Sequence, residues 1–362
     1  MTLLVWLAFL LSGEKGILEK VSEYAMPETM EGYWLERPHS LAVDAQGRVF
    51  IADQDARVVF VWDEKGQPLG VWGRHGNGPG EFRGPTFLDY AGDALHVLDP
   101  PAQRIEVFDK DGQPQRTLTL KGIFTSPMGF LARPEGGYVV VVHAVLEDDP
   151  SMKTVFLDAQ GVLAKVIHAF PDQSFELKES SSFVMQLTAY SGETTLTRFG
   201  EGYAIACGYQ PEILVFTTGK EDLRTIPLLN LPSRLVTERD KEEFMEMEIP
   251  WMDGSFKAIK DLKHNIQVRY PETMPFFSGI AGIGSNYFLV YEFSKFSRIL
   301  KGRIFHASGK AYTPSLAMDL ELNLGWQGTF HLVGNQLYTL RYSEDDSRFS
   351  IQKYHLELKG GS

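Results

Sequence analysis

"RPHSLAVDAQGRVFIADQDARVVFVWDEKGQPLGVW", residues 37–72, holds four apolar runs separated by three short polar breaks. The runs are rich in Val, Phe, Ile and Trp, the residues that fit a pleated, half-buried surface. The first and third breaks, "DAQG" and "DEKG", end on Gly47 and Gly66. Glycine at the tip of a two-strand hairpin supplies the positive φ that such turns demand. The stretch therefore reads as one antiparallel sheet of four strands, strand-turn-strand-loop-strand-turn-strand.

The same form recurs along the chain. "FLDYAGDALHVLD" (87–99), "FLARPEGGYVVVV" (130–142), "LTRFGEGYAIAC" (196–207), "GIAGIGSNYFLVY" (279–291) and "TFHLVGNQLYTLRY" (329–342) repeat the first hairpin. "IEVFDKDGQPQRTL" (105–118), "TVFLDAQGVLAKVI" (154–167), "ILVFTTGKEDLRTI" (213–226) and "RIFHASGKAYTPSL" (303–316) repeat the second. Gly47, Gly92 and Gly137 stand about 45 residues apart, the length of a propeller blade. Small sheets of this kind bury their faces only by stacking around an axis, so the expected fold is an all-β, six-bladed β-propeller with four antiparallel strands per blade.

The sixth repeat ends early. After "RFSIQKYHLEL" (348–358) only "KGGS" remains, with no fourth strand. "GILEKVSEYAM" (16–26) precedes the first blade without a partner, and an open blade edge is a liability. The N-terminal segment is therefore expected to close the last blade, giving a single propeller over 16–358.

The period is interrupted twice, at 171–190 and at 233–275. In the second insert "TERDKEEFMEME" predicts a helix, with Thr237 and Asp240 forming a capping box. Phe256, Ile259, Leu262 and Ile266 then recur at roughly helical spacing.

Composition narrows the function classes. The chain has 362 residues, 35 Lys and Arg against 47 Asp and Glu, and a net charge of −12 at pH 7. That balance gives no nucleic-acid footprint. The single Cys207 forms no internal disulfide and no paired-cysteine zinc site, and reads as a small buried hydrophobe. Leu3 to Leu11 is an apolar run too short to span a bilayer, and residues 1–13 read as a signal peptide lacking a basic start and a small-x-small cleavage site. A periplasmic or secreted location is the expectation, with the cytoplasm as the alternative.

"VWGRHGNGPGEFRGP" (71–85) is glycine-rich enough to suggest a phosphate cradle, but a dinucleotide fingerprint runs from a strand into a helix. Here Pro85 and another strand follow, so the loop reads as a crossover between blades.

"GRHGNGPGEFRGP" with "LHVLDPPAQRIEVFDKDGQ", and residues 37–67, resemble the NHL-type repeat; the likeness is strongest over 37–120. "PETMPFFSGIAGIGSNYFLV" (271–290) is similar to the blade entry of exported bacterial six-bladed propellers. NHL-type propellers include peptidyl-hydroxyglycine lyases, in which "P-H-x-L" at several inner strands supplies three zinc-binding histidines. His39 matches that position, while Thr86, Met128 and Ser278 stand at the equivalents. One ligand of three makes no catalytic zinc centre, so His39 reads as a hydrogen-bonding residue at the channel mouth, and no metal or other cofactor is assigned. Asp109 and Asp111 imitate a calcium loop without its twelfth-position Glu, and read as a solvated turn. Asp53 and Asp99, closing the second strands, are expected to bond backbone in the following turns.

Inner-strand entries, crossovers and both inserts open on one face of a propeller, and loops that grow on one side of a rigid scaffold usually carry its function. Trp251, Met252 and Phe256 are either a channel plug or a lid. The resulting expectation is a monomeric scaffold binding an unknown small molecule or protein through Arg37, His39, Arg83, Thr86, Trp251, Phe276 and Phe277. The alternative is a metal-dependent lyase or lactonase centred on the channel.

Overall fold

The computed structural model describes residues 18–27, 29–120, 126–143, 151–171, 175–178, 184–190, 193–217, 223–250, 256–294, 299–311, 320–321, 330–343 and 348–358. Residues 1–13, Trp251, Met252 and the Phe256 side chain lie outside them.

Six four-stranded antiparallel sheets are present. In chain order they occupy 38–72, 87–119, 126–171, 194–227 and 279–321, and the sixth combines 330–356 with the strand Leu18–Ala25. That first strand pairs antiparallel with Arg348–Leu356, from Leu18 opposite Leu356 to Ala25 opposite Ser350. The expected closure of the last blade by the chain's other end is what the structure has. In blade five Leu320–Glu321 pairs with Ile299 and Leu300, and residues 312–316 of the expected 303–316 hairpin lie outside the described residues.

The second hairpin of blades one to three, and the first hairpin of blade one, share one turn. Asp44, Asp63, Asp109 and Asp158 each accept, through Oδ1, the N–H groups two and four residues ahead at 2.7–3.0 Å. The glycine three residues on, at 47, 66, 112 or 161, has φ between 78° and 81°, a conformation L side chains rarely adopt. Asp109 thus spends its carboxylate on its own turn. At Gly66 and Gly112 there is a second constraint, since a Cβ would strike the Tyr24 ring at 2.2 Å and the Trp72 indole at 2.5 Å.

Period-two alternation then builds the ring. In the inner strand of blade one, Leu41 and Val43 face the core shared with blade six, while Ala42 faces the core shared with blade two. Five further strand sets behave alike, so six apolar clusters lie in the six wedges between neighbouring blades. Each sheet lends both faces, which is why none is stable alone. The inner strands leave an edge toward the axis, and side chains of the preceding blade cap it. Ser40 Oγ accepts Leu88 N–H at 3.1 Å, Thr195 Oγ1 accepts Ile280 N–H at 3.2 Å and Thr197 Oγ1 accepts Gly282 N–H at 3.0 Å.

The two inserts meet. Val184–Thr188 pairs in parallel with Ile266–Arg269, and Phe175–Lys178 adds a third strand. A seventh apolar cluster, built on Ala189, Phe244, Ile259, Leu262 and Ile266, belongs to this crown. The helix α1 (Glu238–Met245) forms where the sequence placed it, with Thr237 Oγ1 accepting Asp240 N–H at 3.2 Å and the Asp240 carboxylate accepting Thr237 N–H at 2.8 Å. The expected helical run from Phe256 is corrected. Strand Phe256–Ala258 leads into a single 3-10 turn, Ile259–Leu262, and then strand Ile266–Arg269. The turn and the strand both aim Ile259, Leu262 and Ile266 at Phe244, which imitates helical spacing.

Candidate functional site

Entry to each inner strand is fixed by the backbone just before it. In blade one, Asp53 Oδ2 accepts the N–H groups of Glu36 (2.7 Å) and Arg37 (2.8 Å), and Oδ1 accepts those of Asp55 (3.1 Å) and Ala56 (2.9 Å). In blade two, Asp99 holds Arg83 N–H at 2.8 Å and Gly84 N–H at 3.0 Å. Both carboxylates are fully buried. Burial raises the pKa of each, against the lowering by the bonded N–H groups. The expected Asx role is present, and it extends beyond the following turn to clamp the crossover that delivers the site residues.

Arg37, the next residue along, directs its guanidinium at Asp55, 3.6 Å away. His39 stands edge-on to Phe87, with ring centroids 5.3 Å apart, and its imidazole hydrogen-bonds the Thr86 backbone. Burial, then the neighbouring Arg37 charge, push its pKa down to about 4, so the ring is neutral near pH 7. Thr86 is buried, and its hydroxyl donates to the Gly84 carbonyl at 3.1 Å. Arg83 is exposed, with no ion-pair partner among the described residues. Phe276 is half-buried, and its N–H donates to the Gly208 carbonyl at 2.7 Å. Phe277 is 1 % exposed inside the core between blades four and five, and has no surface left for a ligand. The structure thus brings Arg37, His39 and the Thr86 backbone together where blades one and two meet, while Arg83 is placed by its backbone on Asp99. Phe276 sits apart, packed on the core between blades four and five.

The glycine-rich loop answers to an internal cation. Arg104, buried in blade two, donates to the carbonyls of Asn77 (2.7 Å), Gly76 (3.4 Å), Gly78 (3.5 Å) and Glu81, while Glu106 accepts Gly80 N–H at 3.1 Å. A phosphate cradle turns N–H groups inward. This loop turns carbonyls inward, toward a guanidinium.

Three charged or titratable groups in the channel carry no motif. Asp89 of blade two and Arg198 of blade four form an ion pair of 2.5 Å across the inner strand of blade three. Asp89 accepts Ala132 N–H at 2.6 Å and Arg198 donates to the Ala132 carbonyl at 2.7 Å, so the pair caps both groups of one peptide edge. His331 of blade six feels both charges, and burial first, with Arg198 adding, lowers its pKa to about 4. The sequence signal is a polar residue inside an otherwise apolar inner strand, as in "FLDYAG", "LTRFG" and "TFHLVG". Among the described residues, no three His, Cys, Asp or Glu side chains converge to hold a metal. None of the helices in those residues is long and apolar enough to cross a membrane.

The family model DUF5128, a 6-bladed beta-propeller, matches residues 15–306. No protein of curated function matches the chain. Among solved structures, a Bacteroides fragilis protein described as a "Putative exported protein" is 12% identical with a TM-score of 0.54, over 94% of this chain and 96% of that one. A DUF4221 family member from Bacteroides vulgatus is 10% identical with a TM-score of 0.46, over 93% and 97%. Virginiamycin B lyase from Staphylococcus aureus is 13% identical with a TM-score of 0.45, over 94% and 99%. At such identities the first shares the fold, and the other two carry no argument about chemistry.

Proposed function

The chain belongs to the DUF5128 family of six-bladed β-propellers, and from that membership we propose that it is an extracytoplasmic binding module, taking a small molecule or a protein on its insert-bearing face. One observation carries the reading. Two inserts separated by a whole blade join through the parallel pairing of Val184–Thr188 with Ile266–Arg269, and so make one crown with its own core. Building a second core on one face of a closed ring serves the ring itself little, since the six wedges are already filled without it. The short turns of the opposite face offer mainly Asp carboxylates bonded to their own backbone. Export is supported by the apolar run Leu3 to Leu11. The paired Asp53 and Asp99 clamps support reading blades one and two as NHL-type repeats.

Hydrogen–deuterium exchange with hits from a thermal-shift screen of peptides, oligosaccharides and small organic acids tests the proposal. Protection is expected at 37–39, 83–86 and within 233–275. Protection confined to the hairpin tips at 44–48, 63–67, 109–113 and 158–162 would place binding on the other face and reject the reading.

A further inference from the structure

The approach to blade one carries two side chains that the ring does not use. Residues 33–37 alternate in burial: Tyr33 and Leu35 pack on the core shared by blades six and one, while Trp34 and Glu36 are exposed. Alternation of period two sets Trp34 and Glu36 on one side of the chain, roughly 6–7 Å apart. Trp34 is 54% exposed, whereas Trp62 is 1% exposed in the core. Large aromatic groups left in water on a rigid frame are typical anchors of interfaces.

The ledge is held still. Asp53 takes the N–H groups of Glu36 and Arg37, and the Arg37 carbonyl accepts Gln54 N–H at 3.1 Å. Local charge is also settled: the Arg37 guanidinium faces Asp55, and Glu36 has no ion-pair partner among the described residues. Trp34 and Glu36 therefore both project to solvent, the carboxylate without an ion-pair partner among the described residues. The negative face of an aromatic ring attracts cations, and Trp does so most strongly. The net charge of −12 steers basic partners toward the molecule.

We propose that Trp34 and Glu36 form a docking point for a Lys or Arg side chain of a basic protein partner. This rests on the binding reading above and supplies its partner chemistry. A neutral oligosaccharide would use the indole without needing the carboxylate.

Fluorescence anisotropy with a labelled hexa-arginine peptide tests it, on the wild-type chain and on Trp34→Ala and Glu36→Gln, with maltohexaose as the neutral probe. Both positions are on the surface, and thermal melts should confirm intact folding. Saturable peptide binding is expected, weakened about 3- to 30-fold by either substitution. The proposal is overturned by absent binding, by binding indifferent to both substitutions, or by maltohexaose binding that Trp34→Ala abolishes and Glu36→Gln leaves. Exchange mapping with hexa-arginine separates the two ideas. Protection at 83–86 and the crown without 33–37 removes only the ledge, while protection at the opposite hairpin tips removes the face reading as well.

Discussion

Arg104 shows how a single side chain decides the reading of fifteen residues. Its side chain is 8% exposed, and its guanidinium lies 3.2 Å from Glu106 and 3.6 Å from Asp99 and gathers the carbonyls of the glycine-rich loop. Removing a buried partner leaves its counter-charges uncompensated, which costs about 3–5 kcal/mol. Arg104→Met should lose stability on that scale in urea denaturation. Arg104→Lys should recover part of it, because a single ammonium cannot reach the same fork of carbonyls. A loss below about 1 kcal/mol for Arg104→Met would mean that the loop holds itself. Much at this scale was legible: the Asp–Gly turns and the Asp53 and Asp99 positions follow from residue type and spacing. Phe277 was not. Next to Phe276 at an inner-strand entry it looks like channel lining, but the strand's parity turns it into the wedge between blades. Asp89 and Arg198 stand 109 residues apart, so nothing local announces their pairing.

Among the elements, the closing strand Leu18–Ala25 has mostly solvent-facing side chains. Its polar fastening is Glu23, which accepts from Ser350 Oγ at 2.8 Å and Gln352 Nε2 at 3.0 Å and pairs with Lys20. Burial alone would raise the Glu23 pKa, but the bonds from Lys20, Gln352 and Ser350 prevail and lower it to about 2. A carboxylate depressed in the folded state stabilises above its unfolded pKa, near 4.5, and that contribution fades as pH falls toward 2. Amide exchange within 18–25 should therefore quicken between about pH 4.5 and pH 2 relative to the inner strands, and Glu23→Gln should remove most of that dependence. Equal acid sensitivity in both proteins would assign the effect elsewhere. The strand's partner was readable from the sequence because a missing fourth strand and an unpartnered first one balance. The crown's sheet was not, since its parallel pairing joins Met185 to Ile266 with no turn between them. The helix α1 was readable from its cap, whereas the run after Phe256 misled because a turn and a strand shared one core.

At the level of the whole molecule, six wedges of apolar side chains make each blade depend on both neighbours, and the ring is complete only where the two ends of the chain meet. That closure sets which loops share a face, and so underlies the proposal that the crown side binds. Glu19 and His355 are exposed register partners across the seam. Directly opposed residues of antiparallel strands lie about 4.5–5.5 Å apart at Cα, within disulfide reach. The decisive measurement is oxidation of Glu19→Cys/His355→Cys in a Cys207→Ser background, followed by thermal unfolding. The account predicts an intramolecular disulfide in the monomer and a raised melting temperature that reduction reverses. Thiols that stay free, or that join only between molecules, would contradict it.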